Sequence, residues 1–331
     1  MPLSFLARRI LQAVPVLVLV AIGVFILLEI AEGDAVDAYL AGTGSGGAPG
    51  FAAELRAQYG LGDSWPARFA TYALRLVTLD LGWSIAFSRP VGALILERLG
   101  NTVLLMGSAV LLSASLGVIL GGIAARRHGG PVDALITTSA LVLNAMPGFW
   151  LGLLLLILFA VKLRWLPLGG IGTLGAETGG LAGVIDTARH LVLPVVTLSL
   201  TYLALYVRLM RGAMLEAAGS FWVLAARARG LSARRILMNH MARPSLLPVV
   251  TMLGLQAGAM LGGSVVIETV FAIPGLGSLA YEAVTQRDLP LLAAILLAGT
   301  LLVVVVNILV DLLYRRLDPR VADDVSLEAR R

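Results

Sequence analysis

The side chains that could perform acid–base, nucleophilic or metal chemistry are few, and the sequence scatters them. The histidines are His128, His190 and His240, which fall in different segments and never in a His-Glu-x-x-His pattern. No metal site is therefore predicted. Residues 42–46 read Gly-Thr-Gly-Ser-Gly, the outline of a serine elbow, but they have no preceding strand and no evident base. We interpret them as a linker and predict no catalytic residue.

Nucleotide and redox cofactors are also not expected. The chain has no cysteine, which excludes disulfides, thiolate metal sites and iron–sulfur clusters. Lys162 is the only lysine, and it stands between Val161 and Leu163 instead of within the Gly-Lys-Ser/Thr of a phosphate-binding loop. We therefore expect no cofactor, ATP included, to be bound by this chain.

Composition indicates a membrane protein. Of 331 residues, 58% are hydrophobic and 14% charged, whereas soluble domains are nearer half apolar and a quarter charged. The net charge of +5 is weak evidence for nucleic-acid binding, because membrane proteins use arginine first to orient their loops.

The apolar runs predict an all-α fold with six transmembrane helices and short external helices. The first run is longer than the about 7–15 apolar residues of a signal peptide, which favours a transmembrane helix. Residues 31–100 are too polar to span, and we expect short amphipathic helices there over the outer mouth. A five-helix core at 101–320 would contain a basic loop at 211–247, and a charged tail would follow at 321–331. The predicted spans are residues 3–30, 101–125, 135–161, 190–209, 247–270 and 290–314.

Polar residues within these runs are candidate positions on a translocation path. Asn144 and Pro147 interrupt the third predicted helix, where a proline frees a backbone carbonyl and permits a kink. Gln256 and Ser264 are polar positions in the fifth, with Glu268 at its outer end. Hydrogen bonding between helices is the simpler use of each residue, so both interpretations stay open.

The fifth predicted helix is followed by Pro274-Gly275-Leu276-Gly277, which cannot continue a regular helix. The bulky Leu276 between two glycines could plug or hinge the outer mouth. We therefore take these four residues as outer-gate candidates.

The basic loop has the pattern of two short helices and a sharp joint. Residues 221–229 lack glycine and proline and are rich in the helix formers alanine and arginine. Gly230 stands where a left-handed C-cap is needed. Ser232 can cap the second helix, with Leu231 and Ile236 spaced as a hydrophobic staple.

The first of these short helices has a small-residue face. Ala225 and Ala226 leave room for another body, and Trp222, Ala226 and Arg229 fall on one face of the helix. A small patch beside an aromatic ring and guanidinium groups suits a protein socket. The alternative is an ordinary basic loop that only sets the topology.

The same loop resembles a known family. Ala225-Ala226, then Gly230, and later Leu247-Pro248 are similar to the EAA loop of ABC importer permeases. The run 226–232 with His240 resembles the dipeptide, oligopeptide and nickel permeases. Leu224 departs from the general pattern, which has Glu there, and the run 241–244 also diverges. Further motifs extend the resemblance to nearly the whole chain, at 8–17, 80–84, 89–91, 274–277, 311–314 and 318–320.

The resemblance implies the fold of a type I ABC importer permease and the function of a pore-forming subunit for peptides. Nickel or another small solute is the alternative. It also implies four kinds of partner: a sister permease in a heterodimer, two cytoplasmic ATPase subunits, an extracytoplasmic substrate-binding protein and the lipid bilayer. The loop would be a coupling helix that docks into the ATPase. The docking residues would be Trp222, Leu224, Ala225, Ala226, Arg227, Arg229, Gly230, Leu231 and Ser232.

Two other function classes fit the sequence less well. An ion-coupled secondary transporter favours paired intramembrane acids and inverted repeats, and neither pattern is seen. An intramembrane enzyme needs a catalytic constellation, which the sequence does not show.

The arginines predict the orientation, because basic loops stay in the cytoplasm. We expect a multi-pass protein of the bacterial cytoplasmic (inner) membrane, with both termini and the basic loop inside. The arginines that set this side are Arg8, Arg9, Arg126, Arg127, Arg208, Arg211, Arg227, Arg229, Arg234, Arg235, Arg243, Arg315, Arg316 and Arg320.

This orientation can be tested with one substitution. The chain has no cysteine, so Ser220→Cys introduces a single reactive thiol. An impermeant maleimide should label it only after the cells are permeabilised. Labelling in intact cells would contradict the predicted topology.

Overall fold

The computed structural model describes residues 2–30, 64–78, 80–84, 86–173, 175 and 179–317. Residues 31–63 of the predicted external segment (31–100) and the whole predicted tail (321–331) lie outside these residues. The described chain is almost entirely helical, which confirms the predicted all-α class. Its elements are α1 Pro2–Ile30, α2 Trp65–Val77, β1 Trp83–Ser84, β2 Arg89–Pro90, α3 Val91–Arg126, α4 Pro131–Ala145, α5 Gly148–Leu155, α6 Gly180–Ala218, α7 Phe221–Ala228, α8 Ala233–Arg235, α9 Arg243–Val270, α10 Leu276–Thr285 and α11 Leu289–Leu317. Wide π-helical turns follow α5 at Leu156–Lys162 and α8 at Ile236–Ala242.

Four helices in the described ranges are long and apolar enough to cross a membrane, namely α1, α3, α6 and α11. The bent pair of α4 and α5, with its π turn, gives a fifth candidate. The predicted fifth span corresponds to α9, a helix of 28 residues that ends at the predicted break. Several side chains between 257 and 263 in α9 lie outside the described ones.

Two helices begin about ten residues earlier than the sequence predicts. Helix α3 begins at Val91 instead of residue 101, because its first turns bury Val91, Leu94 and Ile95 in an apolar cluster with α10. Helix α6 begins at Gly180 instead of residue 190 and runs for 39 residues. Its first turns are fixed by Asp186, which accepts hydrogen bonds from the backbone N–H and the hydroxyl of Thr173.

The third predicted span is two helices and not one kinked helix. Helix α4 and the α5 segment meet at an angle of 102°. Met146 takes an extended conformation, with φ −80° and ψ 134°, because a residue before proline is driven out of the α region. Pro147 then caps α5. The predicted kink is therefore a break.

The chain divides into two compact units. One comprises residues 1–102 and 274–304, and the other 103–273 and 305–331. In the second unit α6 packs against α4, α5 and α9. A Cβ on Gly117 would lie 2.3 Å from Tyr206 Cβ, and one on Gly121 would lie 2.6 Å from the Val207 carbonyl oxygen. These two glycines, four positions apart in α3, let α6 pack closely against it.

The two described glycines of α9 differ in how closely other atoms approach them. A Cβ on Gly254 would lie 2.7 Å from Asn307 Oδ1 in α11, so this glycine permits a close approach. A Cβ on Gly258 would meet nothing within 4 Å. Gly262 lies outside the described side chains.

A buried aspartate organises the first unit. Asp288 precedes α11, and its carboxylate accepts a hydrogen bond from the Leu291 N–H at 3.2 Å, in the manner of an N-cap. It also accepts from the Ser84 hydroxyl at 2.5 Å and from the Ala86 N–H at 3.2 Å. One side chain thus joins the antiparallel hairpin of β1 and β2 to a helix start more than 200 residues away.

Replacing this aspartate should destabilise the protein. Asp288→Ala leaves a hydroxyl and two N–H groups buried without their acceptor, which costs about 1–3 kcal/mol per unsatisfied group. The matched control is Glu97→Ala, which removes an exposed ion pair with Arg89 worth about 0–1 kcal/mol. Thermal unfolding in detergent should show a clear loss for Asp288→Ala alone. Equal melting temperatures would contradict this role.

Candidate functional site: the basic loop between α6 and α9

The joint of the basic loop has the predicted geometry. Helix α7 ends in a Schellman motif, in which the Gly230 N–H donates to the Arg227 carbonyl and the Leu231 N–H donates to the Ala226 carbonyl. Gly230 has φ +72°, a left-handed conformation that glycine adopts without strain. Ser232 then caps α8, its hydroxyl accepting from the Arg235 N–H at 3.4 Å. The helix–joint–helix interpretation is confirmed.

An apolar anchor holds α7 in place. Val223 and Ala226 on its inner face are buried together with Ile236 from the following turn. Leu231 and Met241 pack against these three residues. The predicted staple of Leu231 and Ile236 is part of this anchor.

A tryptophan also joins α7 to the π-helical turn. Trp222 Nε1 donates a hydrogen bond of 3.1 Å to the carbonyl oxygen of His240. Pro244, four residues after His240, has no N–H to offer that carbonyl in the α-helical pattern. The indole therefore supplies a donor where the proline removed one.

The outer surface of α7 is apolar and basic. Phe221 is 89% exposed, Leu224 61% and Trp222 55%, although Trp222 keeps its hydrogen bond to the loop. The small Ala225 lies on this surface as well. Contiguous exposed apolar residues beside basic ones are typical of a surface that contacts another protein. Arg227 and Arg229 are the exposed basic residues of this outer surface, and Gly230 and Ser232 are exposed at the joint.

The burial of Ala226 changes the predicted docking face. It has no exposed surface, because the helix turns it inward against Val223 and Ile236. Ala226 is thus a packing residue of the loop and not part of its outer surface. The predicted common face of Trp222, Ala226 and Arg229 is wrong for this reason.

The sequence reasoning missed an ion pair below the loop. Arg211 in α6 binds Asp133 in the first turn of α4 through two hydrogen bonds of 2.7 Å, one to each carboxylate oxygen. The Gly129 N–H donates to Asp133 Oδ2 at 3.0 Å, and His128 Nδ1 lies 3.3 Å from the same oxygen. Asp133 is 3% exposed. An acid soon after Pro131 and an arginine within an apolar run were visible, but their pairing depends on the tertiary structure.

The translocation-path candidates occupy different environments. Asn144 is exposed, and its amide donates to the Thr201 carbonyl in α6 at 3.1 Å, the interhelical use that the sequence also allowed. Pro147 is exposed and Gln256 half-buried. Ser264 and Glu268 are fully buried. A role in transport stays a prediction for all five.

The outer-gate candidates form a helix start. The Asn101 amide donates to the Pro274 carbonyl at 2.8 Å, and the Leu276 N–H donates to Thr102 Oγ1 at 2.7 Å. Gly275 caps α10. Leu276 is 2% exposed and lies in the cluster with Val91, so in this structure it is a core residue and not a plug. A hinge in this segment stays a prediction, and it includes Gly277, which is also buried.

Comparison with known proteins places the chain in a family. Residues 117–323 match the model of the binding-protein-dependent transport system inner membrane component. The chain belongs to this family. The match covers the basic loop with its Schellman joint and the helices on both sides of it. As a member of this family the chain is a multi-pass membrane protein and a permease component of a transport system.

Curated relatives match over nearly the full length. A probable peptide ABC transporter permease protein, y4tP, of Sinorhizobium fredii is 34% identical over 96% of this chain and 98% of its own. The oligopeptide transport system permease protein AppB of Bacillus subtilis is 34% identical over 96% of this chain and 99% of its own. A putative peptide permease protein of Brucella suis is 36% identical over 96% and 99%.

A solved structure shares the fold. The inward-facing MetNI methionine ABC transporter superposes with a TM-score of 0.55 at 15% identity, covering 69% of this chain and 98% of that chain. At this identity the likeness concerns the fold alone. It agrees with the type I permease architecture that the sequence predicts.

The role of the left-handed backbone at Gly230 can be tested by a substitution that adds one methyl group. Gly230→Ala adds a Cβ that meets no atom within 4 Å, so its only cost is the left-handed backbone, about 1–2 kcal/mol. Trypsin should then cleave the loop about tenfold faster, since about 1.4 kcal/mol is a factor of ten in the open population.

Gly212→Ala is the matched control for this test. Gly212 lies in α6, and a Cβ there also meets nothing within 4 Å, but its backbone is helical and alanine favours a helix. Its cleavage rate should stay unchanged or fall. Equal rates for the two variants would show that the φ of Gly230 does not hold the loop.

Proposed function

We propose that the chain is one of the pore-forming permease subunits of an ATP-driven ABC importer for peptides. The observation that carries the proposal is the full-length similarity to relatives that are named peptide and oligopeptide permeases. An importer subunit of this kind moves the solute through a path between helices and leaves ATP chemistry to its partners. The lone Lys162, which has no phosphate-binding loop around it, supports this division of roles.

Helix α7 is the element through which ATP hydrolysis would act. Its inner face is fixed by Val223, Ala226 and Ile236, while Phe221 and Leu224 project outward. A helix held from beneath and apolar outside can enter a cleft of an ATPase and transmit its movement without deforming. We therefore assign the docking surface to the outer face of α7, with Arg227 and Arg229 at its basic rim.

The complete system would contain a sister permease, two ATPase subunits and an extracytoplasmic binding protein. We propose that both termini and the α7 loop face the cytoplasm, where the ATPases lie. This agrees with the arginine distribution in the sequence. Closure of the ATPase pair on ATP would move both coupling helices and open the pore alternately to the two sides.

Uptake in proteoliposomes tests the proposal. The permease pair is reconstituted with its ATPase subunits and binding protein, and labelled di- and oligopeptides are supplied outside. We expect uptake that needs ATP and both partners. Uptake driven by an ion gradient without ATPase subunits would favour a secondary transporter. ATP-driven uptake of nickel and not of peptides would show that the importer carries nickel instead of peptides.

The docking surface is tested at an exposed small residue. Ala225→Trp should block ATPase binding, because a large ring in a packed contact commonly costs about 1–3 kcal/mol. Ala225→Ser keeps the size and should behave like the wild type. Ala226→Trp is unsuitable, since it would disrupt the buried anchor of the loop itself.

Co-purification of the ATPase with each variant gives the readout. Ala225→Trp should reach the membrane in normal amount and recover less ATPase, with little ATP-driven uptake. Normal recovery and uptake would remove the docking role from this face of α7.

A further inference from the structure

Helices α4 and α6 are joined by a polar contact at each end of α4. At the end near the basic loop, Asp133 binds Arg211, and near the 102° bend, Asn144 binds the Thr201 carbonyl. Asp133 and Asn144 are eleven positions apart on α4, and Thr201 and Arg211 are ten positions apart on α6. At 1.5 Å per residue these separations are about 16 and 15 Å, so an antiparallel pair satisfies both contacts at once.

Small and apolar residues fill the space between these two contacts. Ala140 of α4 is buried against Leu203, Ala204 and Val207 of α6, with Ile136 and other side chains of both helices around them. A close-packed seam transmits displacement with little deformation. The two helices therefore have the contacts of one rigid body.

The Asp133–Arg211 contact is the stronger of the two. The guanidinium binds both carboxylate oxygens, the geometry that gives an arginine–carboxylate pair its orientation as well as its strength. The Gly129 N–H, in the turn between α3 and α4, donates a hydrogen bond to the same carboxylate. Arg211 lies ten residues before Phe221, the first residue of α7.

We propose that the Arg211–Asp133 ion pair is a positioning element that makes α4 follow α6 when α7 moves. The inference rests on the proposed function, because it needs an ATPase that displaces α7. Movement of α7 would pull the end of α6 that carries Arg211. The ion pair and the seam would carry α4 along, so that the displacement arrives at Met146 and Pro147. Without the pair, α4 would follow α6 less closely at the end that carries Arg211, and ATP would be hydrolysed with less transport.

The experiment measures ATP hydrolysis and peptide uptake in the same vesicles. The decisive variant is the double change Asp133→Asn with Arg211→Gln. It removes the ion pair without leaving one buried charge unpaired, which is the usual cause of misfolding in single variants. Coupling between sites commonly amounts to about 5- to 150-fold, so we expect uptake per ATP to fall at least about fivefold. The rate of ATP hydrolysis and the amount of ATPase that co-purifies should stay within about twofold of the wild type, because the ion pair lies outside the α7 docking face.

Two further variants complete the series. Arg211→Lys keeps the charge but loses the two-pronged hydrogen bonding, and it should retain an intermediate uptake per ATP. Arg208→Gln removes the charge of an exposed arginine one turn away in α6 that lies outside the ion pair, and it should match the wild type.

Each outcome has a definite meaning. Normal uptake per ATP in the double variant contradicts the inference alone. A parallel loss of uptake, hydrolysis and subunit amount also contradicts it, since the pair would then serve only folding. No ATP-driven uptake by the wild-type complex contradicts the proposed function and removes this inference with it.

Discussion

The structure depends on the need to satisfy every backbone polar group of a chain that crosses lipid. Helices satisfy their own backbone groups, so the described chain is almost entirely helical. The unsatisfied N–H and carbonyl groups are those where a helix starts or stops. There the protein uses specific donors and acceptors. Thr102 accepts from the Leu276 N–H, the Asn101 amide caps the Pro274 carbonyl, and the Trp222 indole serves the His240 carbonyl that Pro244 leaves without its helical donor.

A second constraint follows from close packing in an apolar solvent. Lipid tails are as apolar as leucine, so helices associate through close contact and polar pairs. Gly117 and Gly121 bring α3 against Tyr206 and Val207, and a Cβ at either glycine would overlap α6. Gly169 plays a similar part in the loop before α6, where a Cβ would lie 2.5 Å from the Phe271 carbonyl oxygen. Helix α6 can therefore serve as the packing centre of the second unit.

Much of this architecture could be predicted because it depends on local pattern. The apolar runs located the helices, and the residues around Gly230 predicted a left-handed joint that the structure confirms at φ +72°. Ser232 as a cap and the staple of Leu231 and Ile236 were also correct. Such features are set by interactions between a few neighbouring residues, so a short segment of sequence is enough to predict them.

The sequence by itself determined the membrane class, the places where helices break and the helix–joint–helix form of the basic loop. Only the tertiary structure decided which side of each element is buried. Ala226 and Leu276 were expected on functional surfaces, yet Val223 and Ile236 of the same loop cover Ala226, and residues of α3 that are distant in the chain cover Leu276. Asp133 and Arg211 are 78 positions apart, and Ser84 and Asp288 are 204 apart. No periodicity along the chain encodes such pairs, because they form only when separate helices meet.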